Sequence, residues 1–282
     1  LNPHSFKPGL FPHLMAVRPS VEGRVYHLRA SRVNPYVLLP GDPDRVPLIA
    51  SKWDEVTEKN ESREYKTYLG TYRGAPVTAT SSGIGGPAAS IAMDELAMIG
   101  ARTIIRVGTT GSLWSSIKVG DLIITRGAYR LDGASSNYAP PGYPAVPHPD
   151  VLNALVLAAE SLGVRYHVGL TATTDTFYVG QGRPGFNGYL PPGGADLLGR
   201  LRSLNVVNLE MEASIVLTVA NVYGLRAGAI MAVIANRETN EFDPHAGIED
   251  EVSVANEAVR LLKEWDDAYP DKPVKSIMGI KR

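Results

Sequence analysis

The sequence contains no cysteine. Disulfide scaffolds, thiolate metal sites and thiol nucleophiles are thereby excluded together, so any chemistry must run on other side chains. Charge of one sign is not in excess either: 28 Lys and Arg stand against 29 Asp and Glu, a formal net charge of −1 without a long run of like sign. The bulk electrostatics therefore give no pull toward nucleic acid or an anionic membrane, and any affinity for phosphate must be local. No apolar stretch approaches the roughly 18–20 residues of a spanning helix, and residues 1–8 lack a secretory apolar region. These absences lead us to expect a soluble, cytoplasmic protein with neither membrane nor nucleic acid as partner.

What is present is an alternation of strand and helix signals. A chain of 282 residues can bury about three quarters of its unfolded surface in one large α/β domain. Residues 1–23 carry prolines without periodicity and read as an N-terminal extension, 24–266 as the domain, and 267–282 as a polar tail. Apolar runs at 36–40, 76–80, 104–107, 121–125, 166–172 and 227–235 read as strands. Helical periodicity covers 88–99, 151–162, 213–223 and 249–265, with a further start near Arg45. The order predicts a single α/β domain around a central mixed sheet flanked by helices. The Gly- and Pro-rich stretch 182–199 reads as a loop beside a site.

Two charged features interrupt the apolar runs. Arg106 precedes Gly108-Thr109-Thr110-Gly111, and Arg45 follows Gly41-Asp42-Pro43-Asp44. Either glycine-rich turn alone is what a bend needs, since glycine is the default where φ is positive. The guanidinium beside each is what points to a tetrahedral anion. Glu210-Met211-Glu212 closes another apolar run just before a helix. One acid there is explained by the helix N-terminus, but not both, and carboxylates beside a thioether suit a polyol lying on an apolar face. After the strand at 166–172, Phe177, Gln181 and Arg183 combine an aromatic ring, an amide and a guanidinium. They fit a stacked flat ring whose edge is read by donors and acceptors, or equally an anchored loop with two solvated polar residues. His27 and Arg63 have no local partner and by themselves read as structural and surface residues.

Taken in order, residues 40–46, 82–87, 106–111, 130–135, 175–178 and 210–212 resemble the nucleoside phosphorylase superfamily in its hexameric branch, and within it the uridine phosphorylases. The resemblance runs from about residue 25 to 265. It implies reversible phosphorolysis of uridine, with deoxyuridine and thymidine as further substrates, to uracil and the pentose 1-phosphate. Gly41, Arg45, Arg106 and Thr109 would bind phosphate, joined by Arg63 of a neighbouring subunit. Glu212 would hold the ribose hydroxyls above Met211, with the neighbour's His27 near the 5′-hydroxyl. Phe177, Gln181, Arg183 and Arg237 would form the base pocket, with Glu210 behind it, and Arg106, Arg183 and Glu212 would carry catalysis. Purine-specific relatives carry an aspartate where this chain has Asn236, which favours a pyrimidine. No cofactor is implied beyond phosphate as co-substrate. Relatives can hold a monovalent cation through Glu, Ile and Ser; Glu64 and Ile84 match, but the third position is Ala88, without a hydroxyl. The partner implied is further copies of the chain, in a hexamer with shared sites. A purine nucleoside phosphorylase is the nearest alternative, and a non-catalytic nucleoside-binding protein the alternative of another class.

Overall fold

The structure is a computed structural model that describes residues 19–270. A small antiparallel hairpin, β1 (Ser20–Val21) and β2 (Arg24–Val25), leads into it. Then come β3 (Tyr36–Pro40), α1 (Arg45–Ala50), β4 (Glu55–Ser62), β5 (Tyr65–Tyr72), β6 (Ala75–Thr80), α2 (Gly86–Met98), β7 (Thr103–Ser112), β8 (Leu122–Leu131) and α3 (Pro149–Ser161). The chain continues through β9 (Tyr166–Thr174), α4 (Leu197–Ser203), β10 (Val206–Glu210), α5 (Ala213–Tyr223) and β11 (Arg226–Asn236) to α6 (Ile248–Ala268).

One mixed nine-stranded sheet runs β10-β9-β8-β11-β7-β3-β6-β5-β4. Its central strands are apolar on both faces because helices cover both. On one side α1, α3 and α6 pack Ile49, Leu155, Val259 and Leu262 against Leu38 and Ile230. On the other, α2 and α5 bring Met93, Leu96, Ile215 and Val219 onto Val37 and Ile104. This is the α/β domain with a central mixed sheet that the alternation predicts. No helix among the described residues is long and apolar enough to cross a membrane.

The sheet also curls. β10 pairs parallel to β9 and antiparallel to β7, with Leu209 opposite Gly111 and Asn208 opposite Ser112. That second pairing closes β7, β11, β8, β9 and β10 into a ring and drives the end of β10 toward the middle of β7, where Arg106 sits. The ring therefore sets the site.

Three sequence expectations are corrected. Residues 108–111 are not a turn but the second half of β7, paired with β11 from Gly108↔Met231 to Gly111↔Ala235. Their backbone is committed to the ladder rather than free to form an anion nest, and the glycines serve close packing instead. The stretch 182–199 is not one loop: short 3₁₀ turns lie at Val179–Gln181 and Phe186–Gly188, and α4 begins at Leu197. β4 and β5 were unanticipated, since β4 is a largely polar edge strand whose register with β5 only the hairpin at 62–65 fixes. At the expected domain edges, residue 23 falls inside the β1–β2 hairpin turn and α6 runs on to Ala268. Residues 1–18 of the expected extension and 271–282 of the tail lie outside the described residues.

Candidate active site

The strand ends open into a cleft of about 850 Å³. Eleven of the expected site residues line it: Gly41, Arg45, Arg106, Thr109, Phe177, Gln181, Arg183, Glu210, Met211, Glu212 and Arg237. His27 and Arg63 do not.

Arg106 is the centre of its charge. It is buried on β7, its Nε donates to Glu210 Oε2 at 2.8 Å, and its Nη2 lies 2.5 Å from Glu212 Oε2. Burial by itself would lower the pKa of this guanidinium, but Glu212 and Glu210 reverse the effect and raise it, so it stays charged. Gly108 makes the room: a Cβ there would stand 2.7 Å from Arg106 Nη2. Arg45, from the first turn of α1, is buried beside it and donates to the Val107 carbonyl at 3.3 Å. Two guanidinium groups thus reach one end of the cleft between Gly41 and Gly108.

The two acids of the 210–212 segment divide their labour. Glu210 Oε2 also accepts from the backbone N–H groups of Glu212 at 2.7 Å and Ala213 at 2.8 Å, where α5 starts, and Oε1 accepts from the Thr173 hydroxyl. A carboxylate at a helix N-terminus is favoured by the dipole and by unpaired N–H groups. The assignment of Glu210 to base binding is therefore corrected: its acceptors are spent on Arg106, Thr173 and the start of α5. Glu212 is the acid left facing the cleft, with Oε1 accepting from the Gly85 N–H at 2.5 Å. Gly85 has φ +89°, a conformation L side chains rarely adopt, so glycine is needed to aim that N–H.

The far end of the cleft is built by the segment after β9. Arg183 Nη1 donates to the Gln181 side-chain oxygen at 2.5 Å and to the Phe177 carbonyl at 2.9 Å, and its guanidinium lies 4.1 Å from the Phe177 ring centroid. Arg237, at the end of β11, donates to the Gln181 carbonyl at 3.1 Å. Burial, with Arg237 adding repulsion, lowers the pKa of Arg183 to about 10. Two cations, with no carboxylate between them among the described residues, make this end a place for an electron-rich group.

Asn236 borders the cleft, but its side-chain amide is engaged elsewhere. Its amide donates to the Trp114 and Ile117 carbonyls at 3.1 and 2.9 Å and accepts from the Glu238 and Thr239 N–H groups at 2.9 and 3.0 Å. It pins two loops together and has no proton to give a base. Ile84 borders the cleft, and Glu64 and Ala88 flank Gly83, but Ala88 offers a methyl group and its carbonyl already accepts from Tyr65 Oη at 3.0 Å. The hydroxyl that the resemblance implies for a monovalent cation is therefore lacking at Ala88.

Outside the cleft, His27 is held through Nδ1 by Glu95 at 2.8 Å, which also accepts the His27 and Leu28 N–H groups at 2.9 and 2.8 Å. Arg63 is exposed, with φ +56°, and lies 5.8 Å from the Tyr26 ring centroid. Sequence reasoning missed Thr173, which braces Glu210 from β9, and Glu95, which holds His27 outside the cleft; both act only through long-range contacts. It also missed Phe242, an exposed ring at the cleft mouth brought there by its bridge to Ala235.

The profile of the phosphorylase superfamily matches residues 35–267. The chain belongs to that superfamily. Within the phosphorylase superfamily it is 54% identical over 255 residues to the uridine phosphorylase of Thermococcus kodakarensis, covering 89% of this chain and 92% of that relative. It is 42% identical over 228 residues to the uridine phosphorylase of Escherichia coli, covering 80% and 89%. A guanosine phosphorylase of Halorubrum lacusprofundi is 37% identical over 225 residues, covering 80% and 83%.

Proposed function

We propose that this member of the phosphorylase superfamily catalyses the reversible phosphorolysis of uridine, and of deoxyuridine and thymidine, to uracil or thymine and the pentose 1-phosphate. The carrying observation is the Gln181–Arg183 pair at one end of a cleft whose other end holds Arg45 and Arg106. Uracil offers O2, N3–H and O4. An amide meets O2 and N3–H together, while a guanidinium, a pure donor, meets O4. Cytosine presents an acceptor at N3 and an amino donor at C4, leaving Gln181 and Arg183 mismatched. The uridine phosphorylases among the relatives support the same choice of base.

Arg45, Arg106, Gly41 and Thr109 orient phosphate against C1′. Glu212 accepts the ribose 2′- and 3′-hydroxyls over Met211; burial raises its pKa above the ordinary carboxyl value, and the Arg106 guanidinium opposes that rise. As the glycosidic bond breaks, positive charge grows on the sugar between Glu212 and the phosphate, and negative charge grows on the base at Arg183. Catalysis is then alignment plus fixed charge, with no protein nucleophile. The reading includes His27 and Arg63 delivered by a neighbouring copy, in a cytoplasmic homohexamer. The domain is 24–266, preceded by an N-terminal extension at 1–23 and followed by a C-terminal tail at 267–282.

The test is base release from uridine, thymidine, inosine and adenosine with and without phosphate. Phosphate-dependent release from uridine is expected. Release from inosine alone overturns the base assignment, release without phosphate overturns the reaction, and binding without turnover identifies a nucleoside-binding protein.

A further inference from the structure

Glu251 lies in the first turn of α6, on the face that carries Ala255, Ala258 and Leu262 into the core. Its side chain is 0% exposed, and no group among the described residues donates a hydrogen bond to either carboxylate oxygen. The nearest charge is Arg45, with Nη1 3.9 Å from Oε2, beyond hydrogen-bond reach. Arg106 on β7 is the next, and the backbone of Gly108 and Ala232 faces the carboxyl without hydrogen-bond geometry. The other charged groups around α6 turn elsewhere. Lys52 pairs with Glu249, Arg73 and Arg260 pair with Glu257, and Asp250 is exposed. From α3, Asp150 pairs with Arg226 of β11, and Glu160 accepts from the Tyr166 hydroxyl. Tyr36 of β3 and Arg226 bond Asp266 at the opposite end of the helix.

A carboxylate buried without donors is among the costliest groups a core can hold, and a proton is the cheapest remedy. Burial pushes this carboxyl up to about 8, against the pull of Arg45 and Arg106. The charge count beneath the cleft gives the proton a purpose. With Glu251 ionised, the carboxylates of Glu210, Glu212 and Glu251 outnumber the guanidinium groups of Arg45 and Arg106, a poor floor for a dianion. One proton on Glu251 balances the set and leaves Arg45 its full charge for the cleft.

We propose that Glu251 is a positioning residue of the phosphate subsite, protonated when phosphate binds, and that losing its proton turns Arg45 away from the anion. This rests on the reading of the Arg45–Arg106 end as a phosphate site. Phosphate affinity, measured by calorimetry, and the KM for phosphate and nucleoside, measured by initial rates, are compared for the whole protein and E251Q from about pH 6 to about pH 9.5. Phosphate's own ionisation is common to both proteins and cancels in the ratio. Wild-type affinity is expected to weaken roughly tenfold more than that of E251Q between about pH 7.5 and about pH 9.5. At the acid end the two should agree in phosphate KM, nucleoside KM and kcat, a match that a merely disrupted core does not give. Superimposable phosphate profiles overturn the inference alone. A wild type that binds no phosphate at any pH overturns the phosphate reading, and this inference with it.

Discussion

At Arg106 one buried guanidinium bonds two carboxylates with different work. Truncating either acid removes one partner of that guanidinium, but the costs fall in different places. Glu210→Ala removes the partner of Arg106 Nε and the acceptor at the start of α5, so a loss of about 3–5 kcal/mol in unfolding free energy is expected by chemical denaturation. Glu212→Ala removes the acid facing the cleft, so on the proposed reaction kcat/KM for uridine should fall roughly 10²-fold or more while the protein stays folded. If Glu210→Ala is as stable as wild type, its role as a brace is wrong. Glu251 gives a pH signature. Its folded pKa lies above the ordinary value of 4.5, at about 8. The stability of the neutral acid is therefore fully present below about pH 4.5 and is lost as pH rises to about 8. E251Q has no such loss, so its Tm relative to wild type should climb across that window and then level off. A constant Tm difference from about pH 5 to about pH 9 contradicts the raised ionisation.

Among the elements, β7 carries the site. Its pairing with β11 holds residues 108–111 extended, and the absence of a side chain at Gly108 lets Arg106 lie flat against the strand. Gly108→Ala is expected to fold, since its φ is not positive, but to shift Arg106 and raise the KM for phosphate, with kcat/KM down by roughly 10²-fold. Kinetics equal to wild type would mean that Arg106 has slack there. The same strand marks the limit of reading elements from sequence. Apolar runs at 36–40 and 213–223 coincide with β3 and α5 because each is buried on its own apolar pattern. Gly-Thr-Thr-Gly carries turn residues locally, and only its ladders with β10 and β11 make it strand. β4 escaped because an edge strand open to solvent carries almost no apolar signal, and β5 because its buried positions Tyr65, Thr67, Leu69 and Tyr72 are interrupted by Lys, Thr and Gly rather than set in an apolar run.

For the whole molecule, the cleft of one chain holds every expected site residue except His27 and Arg63. If neighbours supply those two, mixing inactive Arg63→Ala and Glu212→Ala proteins should restore activity through hybrid sites. Verified subunit exchange without any recovery rejects shared sites.

The sequence by itself determined the α/β class and pointed to the arginines that line the cleft, the Glu-Met-Glu segment and the aromatic–amide–guanidinium group, because each is written within a few adjacent residues. Tertiary structure decided which acid braces and which faces the cleft, since that depends on β10 crossing back to β7. It also turned Asn236 into a loop pin and set Glu251 behind Arg45. The signal for Glu251 was a single acid on the apolar face of an amphipathic helix, 206 residues from the arginine it approaches. Only the folded chain brings those two groups within 3.9 Å, both buried from solvent.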